Sequence, residues 1–379
     1  METTYKEVIP IPIKPNKRKR KDYYKVFFKS KTKNINKVWK FLDKIISKLG
    51  NPLKKSPTGR PPKFKDLDIY VKSSILLGYF DFTLDEVEGI LPLLAGNTLD
   101  RSNIDRWFQR MDICYIEKAS ELLNKRLESM FDYGEYIVDA TKYAANEYHE
   151  SFHKGEITYE LDLIGLHILV NYFIKEGFIS IVKFHVSDGW SNESPIFREK
   201  ILSKTKLKPH RRLHGDKGFA AEETFEMLFE RELIPNICHK DNTKRGFWTK
   251  KANELYNNNL RKQIRGLVET VFGGMQTETD NRIRFKLDKT RKLYVAIRAL
   301  THQIRTYFRA LVYKALNYLM TFATTSVGVG NAGGGKGDKI FIFNQEGKKL
   351  LEYKPDVSNY EETGNFYQPD VTPDGKYIS

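Results

Sequence analysis

Apolar positions recur along this chain in two periods, helical and alternating. In "KNINKVWKFLDKIISKL", residues 33–49, Ile35, Val38, Trp39, Phe41, Leu42, Ile45, Ile46 and Leu49 fall at helical spacing. Residues 65–131 continue helical. "DLDIYVKSSILLGYF" is apolar-periodic and is expected to end near Gly78. Thr83 and Glu86 then form the sequence signature of a capping box ahead of "EGILPLL". "TLDRSNIDRWFQRMDICYIEKASELLNKRLESMF" supplies one or two further helices.

From residue 134 the pattern changes to strands. "EYIVDAT" is a short strand run ending at Asp139, and "LIGLHILVNYF" and "FISIVKFHV" are two more, joined by the hairpin-length "IKEG". "NESPIFREKILSK" reads as a helix capped by Asn192. "HRRLHGD" is a short strand ending in Asp216, followed by a helix over 220–232 and the strand "LIPNIC". "HKDNTKRGFWTKKANELYNNNLRK" reads as a basic, polar connector. Helices follow from about 261 and over 291–319. The order β-β-β-α-β-α-β-α describes a mixed sheet flanked by helices. Beyond it, "TTSVGVGNAGGGKGD" reads as a glycine-rich linker, and "KIFIFNQEGKKLLEYKPD" alternates like two strands around Glu346-Gly347.

Composition adds a sizeable core, with 379 residues of which 40% are hydrophobic. The best membrane-like run, "LDLIGLHILVNYFI", is interrupted by Asp162, His167 and Asn171, so no span is expected. Two cysteines, Cys114 and Cys238, make neither a metal spacing nor a disulfide framework, which points to a reducing cytoplasm. Net charge is +16. Residues 1–70 hold 20 Lys and Arg against 6 Asp and Glu, whereas residues 339–379 hold 5 against 7. Excess positive charge gathered at one end suits a polyanionic partner such as DNA, and a solvated basic tail is the plainer reading.

Several basic segments carry that expectation. Lys17, Arg18, Lys19 and Arg20 form a run that suits phosphate contact. Gly59-Arg60-Pro61 is either a minor-groove arm or a plain linker. "SNIDRWFQR" suits a helix-turn-helix-like unit and a plain helical bundle about equally. Phe247 and Trp248 lie among Lys244, Arg245, Lys250 and Lys251. Such interleaving either stacks bases and grips phosphates or pins a loop to the core by two rings.

Three acids stand out by context. Asp139 and Asp216 end strands 77 positions apart, and Glu269 lies on a late helix 53 positions further on. Singly, each has an ordinary explanation: a strand end, a turn residue, an i, i+4 partner for Arg265. Together they could hold two divalent ions, which need carboxylate oxygens plus substrate phosphates. His210, His214 and His239 are expected to be structural or to touch DNA.

"YIVDAT", "HGDKGF" and "RGLVETVFGG", in this order, resemble the catalytic blocks of DDE transposases of bacterial and archaeal insertion sequences. The likeness is greatest to the group that includes insertion-sequence families four and five. It covers roughly residues 60–318 and is most specific around Asp216 and in the Arg265-x-x-x-Glu269 spacing. It implies a ribonuclease H-like core with Asp139, Asp216 and Glu269 as a triad for Mg²⁺ or Mn²⁺, two ions in all. Arg265 would touch phosphate or steady Glu269. Lys142 would meet the cleaved strand, and its plainer reading is a solvated lysine. The implied activity is cleavage and strand transfer at terminal inverted repeats and target DNA, by a homodimer or larger assembly in a prokaryotic cytoplasm near the nucleoid. The family's helix often has tyrosine and lysine where this chain has Lys262 and Gln276. A decayed or repurposed, catalytically silent DNA-binding protein is the alternative.

The expected division is a basic arm, helix and linker (1–64), a helical DNA-binding region (65–131), a catalytic domain (132–319), a linker (320–338) and an appendage (339–379). The last resembles one β-propeller blade.

Overall fold

The computed structural model describes residues 20–54, 62–153, 156–239, 246–275, 282–319, 322–326, 339–343 and 349–353. The first helix, α1 (Arg20–Leu49), begins well before the expected residue 33. Four helices follow: α2 (Asp68–Phe80), α3 (Leu84–Ala95), α4 (Arg101–Arg110) and α5 (Ile113–Glu128). Helix α2 passes through Gly78 and stops two residues later, with Asp81 left-handed at φ 56°. The Thr83–Glu86 capping box is formed in both directions at the start of α3.

The sheet opens with three long strands, β1 (Glu135–His153), β2 (Glu156–Phe173) and β3 (Phe178–Asp188). Asn192 caps a short α6 (Glu193–Ile196), which winds on through a π-helical turn at Phe197–Ile201 and a tight turn at Leu202–Lys204. Then come β4 (Arg212–Gly215), α7 (Glu222–Phe229), β5 (Ile234–Ile237), α8 (Phe247–Leu255), α9 (Asn258–Met275), β6 (Arg282–Ile283) and α10 (Asp288–Leu319).

The sheet order is β3-β2-β1-β4-β5. Strands β1, β2 and β3 are antiparallel neighbours, and β4 and β5 run parallel to β1. This is a mixed α/β sheet flanked by helices, consistent with a ribonuclease H-like core. Alternation along β1 assigns its two faces. Ile137 and Tyr143 join a core shared with α1–α5, α9 and α10. Tyr136 and Val138 join a second core with Phe197, Phe225, Leu228 and Ala252, from α6 through α8. The sheet is therefore covered on both sides, which suits its parallel strands.

Three expectations need correction. Strands β1 and β2 run on as a paired ribbon as far as His153 and Glu156, so β1 does not end at Asp139 as expected, with a register shift between Ala144 and Tyr148. Pairing with the opposite strand sustains a segment whose own sequence is too polar to announce a strand. The basic connector contains α8, whose polar sequence buries only Thr249 and Ala252. The stretch read as a glycine-rich linker begins with β7 (Phe322–Ser326), which pairs with β8 (Lys339–Phe343). Strand β8 pairs in turn with β9 (Lys349–Tyr353). Phe322 and the β-branched Thr324 and Thr325 account for that strand. Among the described residues, no helix is long and apolar enough to cross a membrane.

Candidate active site between β1, β4 and α9

Parallel pairing sets Tyr136 opposite Leu213 and Ile137 opposite His214. The pairing ends at Ile137 and His214; Asp139 and Asp216 each follow that pair by two residues. Both residues follow the face that carries Ile137 and His214, the face covered by α9. In open α/β sheets this carboxyl edge is where ligands bind.

Each aspartate is fixed by the amide that follows it. The Ala140 N–H donates to Asp139 Oδ1 at 2.8 Å, and the Lys217 N–H donates to Asp216 Oδ1 at 2.8 Å. Gly215 makes the close approach possible: a Cβ there would lie 2.9 Å from Val138 Cγ1 and 3.3 Å from Ile237 Cγ1. The glycine before Asp216 is therefore needed for space between two strands.

One layer deeper, a buried chain of polar groups crosses the same face. Glu135 Oε2 lies 2.8 Å from His214 Nε2, and His214 Nδ1 lies 3.0 Å from the Asn236 amide. Asn236 Nδ2 donates to the Asn257 carbonyl, and its Oδ1 accepts from the Asn257 N–H. The Asn257 side chain in turn accepts from the Leu260 N–H in the first turn of α9. Three strands thus anchor the start of α9. Of the three histidines, His214 is this buried linker. His239 packs against the rings of Phe225 and Tyr256, and burial holds its pKa low. His210, left-handed at φ 57°, lies at the surface near Glu232.

The anchored helix delivers Arg261 to the site, where its Nη2 is 3.2 Å from Asp216 Oδ1. Sequence reading passed over this residue in favour of Arg265. Arg261, Arg265 and Glu269 follow at i, i+4, i+8 along one side of α9, and that spacing was the available signal. Glu269 is exposed, two turns and about 12 Å along the axis from Arg261. The Arg265 side chain and Gln276 lie outside the described residues.

A fourth acid also borders the site. Glu193, in the first turn of α6, lies against the turn after Asp216, since a Cβ on Gly218 would be 3.0 Å from its Oε2. Burial raises its pKa and the nearby Asp216 raises it further, while Lys142 opposes. Lys142 is exposed, three residues on from Asp139 and so on the other face of β1. Its Nζ is 5.3 Å from the centre of the Trp190 ring.

The aromatic and basic cluster divides in two. Trp248 stacks on Phe229 with centroids 5.5 Å apart, while Phe247 is 70% exposed. Lys251 lies over both Phe229 and Trp248, and Lys250 is exposed. The Glu222 carboxylate accepts from the Trp248 and Thr249 amides and so closes the start of α8. Gly246, at φ 151°, is required there because a Cβ would collide with that carboxylate. Lys17, Arg18, Lys19, Lys244, Arg245 and the Arg20 side chain lie outside the described residues.

For a divalent cation the donor chemistry fits in part. Two neighbouring carboxylates are the hard oxygen set that Mg²⁺ takes alongside phosphate oxygens. Glu269 is not gathered with them: among the described residues no group of three or more His, Cys, Asp or Glu side chains could hold a metal.

The mixed sheet thus carries Asp139 within β1 and Asp216 just after β4, with the helix-borne Arg261 on Asp216. In comparison with known proteins, residues 131–302 match the family described as Transposase DDE domain. No curated protein matches the chain significantly. Among solved structures, the piggyBac transposase synaptic complex with hairpin DNA is similar at 12% identity and TM-score 0.39, over 72% of each chain. A pre-cleavage Mos1 transpososome is similar at 9% identity and TM-score 0.17, over 70% of this chain and 83% of that one.

Proposed function

We propose that the chain is a transposase that cleaves and joins DNA at the ends of an insertion sequence. The observation that supports this reading is the parallel β1–β4 pairing of Ile137 with His214, two residues before Asp139 and Asp216, within the segment matching the DDE domain. In this reading Asp139 and Asp216 hold Mg²⁺ or Mn²⁺, two ions in all, and Glu269 is the third acid. Bound cations there supply Lewis-acid activation of the attacking oxygen and neutralise charge on the leaving oxygen. The chain's own residues hold the phosphodiester in line and bind its flanking phosphates. Water first breaks a phosphodiester at the element's end and releases a 3′-hydroxyl. That hydroxyl then attacks target DNA, so that one phosphodiester forms as one breaks.

Arg265, Lys142, Lys250 and Lys251 are assigned to DNA contact, with Lys244, Arg245 and the run Lys17, Arg18, Lys19 and Arg20. The partners are the terminal inverted repeats and target DNA, bound by a homodimer or larger assembly. The propeller-like residues 339–379 are read as an appendage without a part in the chemistry.

Asp139→Asn, Asp216→Asn and Glu269→Gln should each lower Mg²⁺-dependent strand cleavage by on the order of 10³-fold, the rate equivalent of several kcal/mol of lost Lewis-acid stabilisation. DNA affinity should be retained. Undiminished cleavage by Asp216→Asn would contradict the assignment. The exposed, ungathered Glu269 favours one other reading, a catalytically silent DNA-binding protein derived from a transposase. Excision of a plasmid-borne element with paired terminal repeats separates the two, because only a catalytic chain produces it.

A further inference from the structure

Arg261 is placed with more care than a surface arginine needs. Its side chain is only 15% exposed, and its guanidinium reaches the carboxylate of Asp216, which is 40% exposed. The turn it stands on is fixed by Asn257, and Asn257 by Asn236, His214 and Glu135 across three strands. Tyr256 and Cys238 surround the same guanidinium. The contact has a plain electrostatic reason. Two aspartates on neighbouring strands repel one another when no cation lies between them, and an arginine at their edge offsets that repulsion.

The same contact sets up a competition. An Asp216 oxygen that accepts from a guanidinium is shielded from a metal ion. A guanidinium is also the group best shaped to grip a phosphate through two parallel hydrogen bonds. Arg261 shares a helix side with Arg265 and Glu269, so it stands where a strand crossing the aspartates would pass.

We propose that Arg261 is a phosphate-binding residue of this site that holds Asp216 in the DNA-free chain, so that DNA binding and metal binding are coupled through one guanidinium. The proposal rests on reading Asp139 and Asp216 as the metal pair. When DNA arrives, Arg261 turns to a phosphate oxygen and Asp216 becomes open to the cation. By thermodynamic reciprocity, the cation then strengthens DNA binding by the factor with which DNA strengthens cation binding. The cleavage centre is thereby kept poorly loaded until a substrate is present.

The test measures Mn²⁺ binding to the full chain by calorimetry, with and without a duplex oligonucleotide. Wild type should bind Mn²⁺ weakly alone and roughly 5-fold or more tightly with DNA, the usual lower range for coupled sites. Arg261→Gln should bind Mn²⁺ in the free chain about as tightly as wild type does with DNA. Its salt dependence of DNA affinity should be shallower by about one phosphate contact. Arg261→Lys, which keeps the charge but not the fork, should restore the salt slope and only part of the coupling. Thermal unfolding of both variants checks that each is folded. Equal Mn²⁺ affinity of wild type and Arg261→Gln without DNA, with unchanged salt slopes, overturns the proposal. Asp216→Asn separates the two levels: Mn²⁺ binding unaffected by that change overturns the metal reading itself, and the coupling with it.

Discussion

The site is built from two kinds of support, and they differ in what holds them. On the strand side, Asp139 and Asp216 each follow the paired Ile137 and His214 by two residues, and each accepts from the very next amide. On the helix side, Arg261 and Glu269 depend on how α9 is seated, and the relay that seats it begins at Glu135, on the strand of Asp139 itself. Positions set by ladder geometry tolerate little displacement. Positions set by one helix cap can shift as a unit, and under the proposed function, a site that admits DNA has use for both.

The largest effect on this contrast should come from Gly215→Val. The added side chain must push β1 and β5 away from β4, at a cost of about 3 kcal/mol in urea unfolding, the upper range for overpacking. Strand cleavage should fall with it. If cleavage survives in the folded variant, the strand register does not define the site.

Asn236→Leu attacks the helix side instead. It removes both bonds to Asn257 and leaves His214 without its amide partner, which should cost about 2 kcal/mol. The aspartates keep their own amides, so Mn²⁺ binding should persist while cleavage drops. Equal loss of both would show that the two supports are one.

His167 probes the face of β1 opposite the aspartates. It is 3% exposed, bonded to Ser187 Oγ at 2.9 Å, and burial pushes its pKa down to about 4. The unfolded chain takes up a proton near pH ~6.5 and the folded chain only near the lowered value. Stability contributed by the neutral imidazole is therefore complete above the unfolded pKa and lost as pH falls toward the folded one. Between pH 7 and pH 5 the loss should be about 2 kcal/mol from this group, and His167→Gln should reduce that loss. An unchanged pH profile in the variant would assign the acid sensitivity elsewhere. Thr83→Ala, in the capping box of α3, is the control for both sides. It should cost about 1 kcal/mol of stability and leave cleavage and Mn²⁺ binding alone.

What was legible in the sequence follows the same division. The strands of Asp139 and Asp216 could be read because short apolar runs announce them; Asp216 follows the end of β4 as expected, whereas β1 continues past Asp139 to His153. The Thr83 cap was equally local. Arg261 was legible only as a residue sharing a helix side with Arg265 and Glu269; its contact with Asp216 was not. Its contact depends on β4 and α9 meeting, which a run of residues does not record. Helix α8 was hidden for a related reason: its own residues are polar, and its first turn is closed by Glu222 from α7, 26 positions before Trp248. The outer halves of β1 and β2 are strands by virtue of each other. In each case the missed feature is held by a partner distant in sequence.

The most direct measurement is anomalous diffraction from crystals of the chain with a terminal-repeat duplex and Mn²⁺. The account predicts manganese bound at the carboxylates of Asp139 and Asp216, with Arg261 turned to a phosphate. Manganese bound elsewhere, with those two aspartates making no contact to it, would contradict the central claim.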